Sequence, residues 1–155
     1  MKFKKFILGL FVLMMTMSAT ASDVGYIDMQ VLFTNLKKIA KFNENMISKQ
    51  EEYQELLQKK EVEIAEAREK NKDMAKIQEL MAKAEEELLP KQQELMELQR
   101  AFEKNLKFEI DSVSKKIAEE YQLQLIVNKE VLFYGGFDIT NLIVDRLNEF
   151  WILKI

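Results

Sequence analysis

Between Thr34 and Tyr121 the chain runs 88 residues with no glycine and a single proline, Pro90. Glu, Lys, Gln, Leu, Met and Ala dominate this stretch, and these residues lose least on entering a helix. Apolar side chains recur at Ile39, Phe42, Met46, Tyr53, Leu57, Ile64 and Ala67, then at Leu98, Phe102, Leu106, Ile110, Val113, Ile117 and Tyr121. Steps of three, four and seven put each series on one stripe of a helix. One unbroken helix would be about 130 Å long at 1.5 Å per residue, with a narrow stripe to cover along all of it. Folding the stripe onto itself solves this. The pattern predicts an antiparallel coiled-coil hairpin with arms of roughly 55–70 Å.

Two positions compete for the tip. Residues 69–74 (EKNKDM) are polar, contain Asn71 and Asp73, and interrupt the stripe. Pro90 removes an intrahelical hydrogen bond and crowds the preceding turn. A tip at Pro90 would leave very unequal arms, so residues 69–74 are the expected reversal and Pro90 a kink.

The ends of the chain change character. Residues 1–21 carry Lys2, Lys4 and Lys5, then an apolar run from Phe6 to Met17, then Ala19-Thr20-Ala21. A basic start, a short apolar core and a small-x-small step make a secretory signal with cleavage before Ser22. The run of about twelve residues is too short for a bilayer core, which needs about 20. With the leader gone, 20 Lys and Arg face 26 Asp and Glu, a formal charge of -6.

After the leader, Val24, Tyr26 and Ile27 have strand character, and Asp28 can cap a short turn containing Val31, Leu32 and Phe33. Thr34 or Asn35 can cap the long helix. Past Tyr121 the period shortens: Leu123, Leu125 and Val127 predict one strand and residues 131–134 (VLFY) another, with 128–130 as the reversal. Gly135-Gly136 ends the second strand, and Asp138 or Thr140 can cap a last helix carrying Leu142, Ile143, Leu147 and Phe150. The domain plan is therefore a leader (1–21) and one α+β unit (22–155). Residues 22–33 and 122–155 form a small body, and 34–121 project from it.

That body, about 45 residues, is marginal alone without disulfides, metal or association. Cys and His are both absent, which removes disulfides, thiolate nucleophiles, histidine bases and the usual zinc sites. Association remains. Ile27, Leu125, Val127, Leu132 and Phe133 exceed what one body can cover, so they are the candidate subunit contacts. Carboxylate pairs such as Glu63/Glu66 or Glu94/Glu97 belong to a solvated helix surface. Gly135-Gly136 lacks the strand-loop-helix setting of a nucleotide site. No enzyme and no cofactor is expected. The acidic balance also argues against nucleic acid.

This organisation resembles the Skp/OmpH family of periplasmic chaperones. Residues 24–33 (VGYIDMQVLF) are similar to the family's opening strand and turn. The Lys/Glu/Gln-rich stretch occupies its tentacle region. Residues 115–134 (KKIAEEYQLQLIVNKEVLFY) look like the return into the body, and 137–147 (FDITNLIVDRL) resemble the closing segment and terminal helix. The resemblance implies a homotrimer with a β-strand body and three helical tentacles around a cavity. It also implies an ATP-independent holdase, soluble in the periplasm, that carries unfolded outer-membrane proteins to their membrane. One departure stands out: residues 34–121 hold 17 Lys/Arg and 20 Asp/Glu, whereas the best-known members are strongly basic. That argues against lipopolysaccharide as a ligand and puts client capture on apolar contact.

Dispersed, flexible apolar side chains suit a surface that must accept many sequences. The candidates are Met46, Tyr53, Met74, Met81, Met96 and Phe102, with the interior of the hairpin as their competing location. A secreted structural coiled coil that spaces or tethers envelope components is the alternative function. Capture of acidic clients through apolar contact predicts affinity that stays flat or rises with salt. A local collar of Lys37, Lys38, Lys41, Lys104, Lys107, Lys115 and Lys116 predicts the reverse.

Overall fold

The computed structural model describes residues 23–70 and 73–152. The expected leader, its cleavage point and Asn71 lie outside the described residues. The elements run β1 (Val24–Ile27), α1 (Met29–Asn35), α2 (Lys37–Glu69), α3 (Met74–Tyr121), β2 (Leu125–Asn128), a 3-10 turn (Lys129–Val131), β3 (Phe137–Asp138) and α4 (Thr140–Ile152). This is a mixed α+β fold in which helices outweigh one small sheet.

Strand β1 is central, flanked by β2 and β3 in the order β2-β1-β3. Both pairings are parallel, with Val24 opposite Leu125 and Gly25 opposite Phe137. Parallel neighbours need a crossover, and here α1, α2 and α3 together make the one between β1 and β2. At Gly25 an added Cβ would lie 2.7 Å from Leu123 Cδ1, so any side chain there would have to push that leucine aside.

α2 and α3 pack antiparallel. Lys38 meets Glu109, Phe42 stacks on Phe102, Lys49 pairs with Glu94 and Lys60 with Glu87, so partners fall in number as positions rise. The first helix stops at Glu69, the second starts at Met74, and the second continues through Pro90. Proline forfeits one backbone hydrogen bond there. Pro90 and Glu86 are both exposed, so water can solvate the freed carbonyl.

At the base, Leu106, Ile110, Val113 and Ile117 line one stripe of α3 and bury against Leu32 and Leu36. Ile139, Ile143, Val144 and Leu147, at the start of α4 and along it, complete this core with Ile27. The end of α3 is closed by Gln122, in the left-handed region at φ 56°. Its N–H donates to Glu119 O and the Leu123 N–H to Ala118 O, a Schellman closure that turns the chain into β2.

Two expectations need correcting. Residues 131–134 are not a strand. Asn128 Oδ1 accepts from Glu130 N–H at 3.2 Å and starts a 3-10 turn instead. Val131, Phe133 and Tyr134 then stand exposed, with no face among the described residues to cover them. The third strand is Phe137–Asp138, reached through Gly135 and Gly136 at φ 84° and 89°, a region that side-chain-bearing residues avoid.

The second correction concerns the start of α2, which neither Thr34 nor Asn35 caps. Both turn back into α1, with Thr34 Oγ1 donating to Gln30 O and Asn35 Nδ2 to Val31 O, each at 2.8 Å. Leu36 is the cap residue and offers no side-chain acceptor. Asn148 of α4 supplies it: its Oδ1 accepts from Lys37 N–H at 3.0 Å, and its Nδ2 donates to Asn35 O at 3.1 Å.

Candidate functional site

Two surfaces stand out, the hairpin and the base from which it projects. In the hairpin, Met46, Ala67, Ile77 and Ala84 are buried between the helices. Lys49 and Lys60 fall on the same period as Met46, Tyr53, Ile64 and Ala67, so charged residues take positions where an apolar seam would continue. Lys60 is drawn in farther than Lys49, its side chain 15% exposed, and its Nζ donates to Glu87 at 2.6 Å. Lys49 makes the same contact to Glu94 at 2.6 Å. That pairing raises the lysine pKa and lowers that of Glu94.

The candidate contact residues divide between two environments. Met46 is buried, Tyr53 half-buried, and Phe102 is half-buried with its ring 3.8 Å from that of Phe42. Met74, Met81 and Met96 are exposed, at 67%, 48% and 44%. Sequence reasoning passed over four exposed apolar side chains on these helices, Ile47, Val62, Leu89 and Phe108. Leu89 was legible in principle, because 74, 81, 89 and 96 recur at intervals of seven or eight residues, about two helical turns.

The candidate subunit contacts also divide. Ile27 is part of the intrachain core, Val127 and Leu132 are half-buried, Leu125 is 54% exposed and Phe133 fully exposed. Leu125 and Val127 line a groove of about 700 Å³ between β2, α1 and the base of α3. Met29, Phe33, Leu123 and Ile126, which were not among the candidate subunit contacts, help form its walls. Ser114 Oγ, on the α3 wall, has no hydrogen-bond partner among the described residues.

Electrostatics around the base hold the chain in shape and prepare no chemistry. Asp28 caps α1 through Val31 N–H at 3.1 Å and receives Lys129 Nζ at 2.7 Å. The lysine, then that backbone N–H, lowers the Asp28 pKa, and the aspartate raises that of Lys129. Asp28 N–H in turn donates to Thr140 Oγ1 at 2.9 Å, tying β1 to the start of α4. Arg146 grips Glu120 with two nitrogens, lowering the glutamate's pKa. Desolvation, then nearby Asp138, raises the Tyr26 pKa. Of the lysine collar, Lys38 is paired with Glu109 and Lys41 with Glu44, while Lys107 and Lys115 share the groove rim with Glu103 and Asp111.

Among the described residues there is no group of three or more acidic, His or Cys side chains able to hold a metal ion. Nor is any helix among them long and apolar enough to cross a membrane. A family model described as outer membrane protein (OmpH-like) matches residues 23–147, which takes in the sheet, both long helices and most of α4.

The chain belongs to the OmpH-like family. Its general function is that of the Skp/OmpH chaperones: a periplasmic, non-catalytic protein that serves outer-membrane proteins. No curated protein matches the chain.

Proposed function

We propose that this OmpH-like protein is an ATP-independent holdase that works as a homotrimer, with each hairpin serving as a tentacle beside a shared cavity. The observation that carries the holdase reading is the family match spanning base and hairpin together. Exposed Met74, Met81 and Met96 support it, since flexible thioether side chains adapt to clients of many shapes. Support for the trimer comes from apolar surface on a base too small to stand alone. Val131, Phe133 and Tyr134 project into solvent while Leu125 and Val127 line an open groove. A protruding apolar loop and a separate groove are complementary in kind, as a closed ring of head-to-tail contacts requires. We take Leu125, Val127, Leu132 and Phe133 as subunit contacts, with Ile27 supporting them from the intrachain core.

The balance of 17 Lys/Arg and 20 Asp/Glu over residues 34–121 makes unfolded outer-membrane β-barrel proteins, rather than lipopolysaccharide, the expected ligand. The test has two parts. Sedimentation equilibrium of the chain without its leader should give a trimer, and a stable monomer with intact strands would defeat the assembly. A urea-unfolded β-barrel protein, diluted into buffer without ATP, should stay soluble when the chain is present. Absence of saturable binding at every salt concentration would move the function to a structural spacer of the envelope.

A further inference from the structure

The hairpin has two unlike flanks. At about 100° per residue, the buried positions Ile77, Ala84, Leu106 and Val113 of α3 point in one direction, toward α2. Met74, Met81, Leu89 and Met96 cluster within about 80° of one another, roughly a quarter turn to one side of that direction. Glu87 and Glu94, which hold Lys60 and Lys49, fall to the other side. Because α2 runs antiparallel, its sense of rotation reverses when viewed along α3. Ile47 then shares the methionine flank, while Lys38, Lys49 and Lys60 share the ion-paired one. One side of the hairpin is stitched by charge and carries a single exposed apolar side chain near the base, Phe108; the other gathers Ile47, Met74, Met81, Leu89 and Met96.

The methionine flank also leads somewhere. Toward the base, the same direction on α3 is taken by Lys107, Ile110, Ser114 and Ala118, which form the α3 wall of the apolar groove. The exposed side chains therefore form a track that ends at the groove, where the proposed subunit contact begins.

We propose that this flank is the client-holding surface of the hairpin and that the ion-paired flank faces away from the client. The inference rests on the holdase reading and specifies its site. Its occupant is an extended, unfolded polypeptide with scattered apolar side chains. Successive apolar spots on α3 stand about 10–12 Å apart at 1.5 Å per residue. An extended chain covers that distance in three or four residues at about 3.3 Å each. A packed helix needs ridges of neighbours three and four residues apart, and here Gln78, Glu85 and Gln92 interrupt them. Glu85 makes no ion pair among the described residues, so a second helix laid on this flank would desolvate an uncompensated carboxylate. An extended chain can pass beside it and leave it wet. Met46, Tyr53 and Phe102 are then the seam that holds the track straight.

The experiment places a photo-crosslinking amino acid singly at Met81, Leu89 or Met96, and for comparison at Lys83 or Ala101, both exposed on the opposite flank. Each full-length chain, processed in the periplasm, is mixed with a urea-unfolded β-barrel protein diluted into buffer. Capture from the methionine flank should exceed capture from the other flank by about fivefold or more. In parallel, the M81Q/L89Q/M96Q variant should bind that client about tenfold more weakly, the loss expected of three shallow apolar contacts that are only partly buried. The K83Q/A101Q variant should bind like the parent. Equal capture from both flanks, unchanged affinity of the triple variant, or crosslinking of the methionine flank to a second copy of the chain would each overturn the assignment while leaving the holdase intact. No capture from any position, with no protection from aggregation, would overturn the holdase itself.

Discussion

Truncating Asn148 to alanine should destabilise the protein by about 1–2 kcal/mol, although the residue lies 111 positions from the helix end it serves. Its amide does two things. Oδ1 accepts from Lys37 N–H at 3.0 Å, the office of an N-cap that Leu36 cannot fill, and losing a cap typically costs about 1 kcal/mol. Nδ2 donates to Asn35 O at 3.1 Å, but Asn35 is exposed, so water recovers part of that bond and its loss adds only about 0.5 kcal/mol.

A double-mutant cycle isolates the capping part. Lys37 is the first residue of α2, a position that tolerates proline, and Leu36 before it is extended at φ -81° and ψ 111°, the conformation proline demands of its predecessor. In K37P the donor is gone, so adding N148A should cost only about 0.5 kcal/mol. Urea unfolding followed by helix circular dichroism, at one fixed protomer concentration, gives all four stabilities. If N148A unfolds within about 0.3 kcal/mol of the parent, or costs the same with and without the Lys37 N–H, the capping argument fails.

Three further outcomes follow from particular contacts. Gln122 holds a left-handed conformation at φ 56°, so Q122G should stabilise the end of α3 by about 0.5–1 kcal/mol in the same urea assay, and a loss of stability would contradict the Schellman closure. Glu79 accepts from Lys76 at 2.8 Å and Lys83 at 2.6 Å, which lower its pKa to about 2. A depressed carboxylate stabilises the fold above its ordinary pKa of 4.5 and loses that contribution as pH falls toward about 2. Carboxyl NMR titration should show the low midpoint in the parent and a return toward 4.5 in K76Q/K83Q, whereas an ordinary midpoint in the parent would refute the pairing. Affinity for an acidic unfolded β-barrel protein should stay flat or rise from roughly 0.05 to 0.5 M NaCl, since screening weakens charge attraction but not apolar contact. A tenfold loss in fluorescence titration would restore the lysine collar as the capture surface.

The long helices, their apolar stripes and the acidic balance were legible in the sequence because each depends on neighbours three or four residues apart, or on no neighbours at all. Asp28 as a cap and Gly135-Gly136 as a turn were legible for the same reason. The order of segments also carried the family resemblance. Residues 131–134 looked like a strand because β-branched and aromatic residues fit a pleated surface, yet a strand forms only beside a partner. β1 takes β2 and the two residues of β3 instead. The cap of α2 was equally invisible, since the side chain that supplies it comes from α4. Composition could place methionines on the hairpin but could not sort them. Burial of Met46 and exposure of Met74, Met81 and Met96 follow from the register in which two antiparallel helices meet. That register is fixed by Phe42 on Phe102 and by lysines reaching across to glutamates, contacts between residues 27 to 71 positions apart that no local pattern encodes.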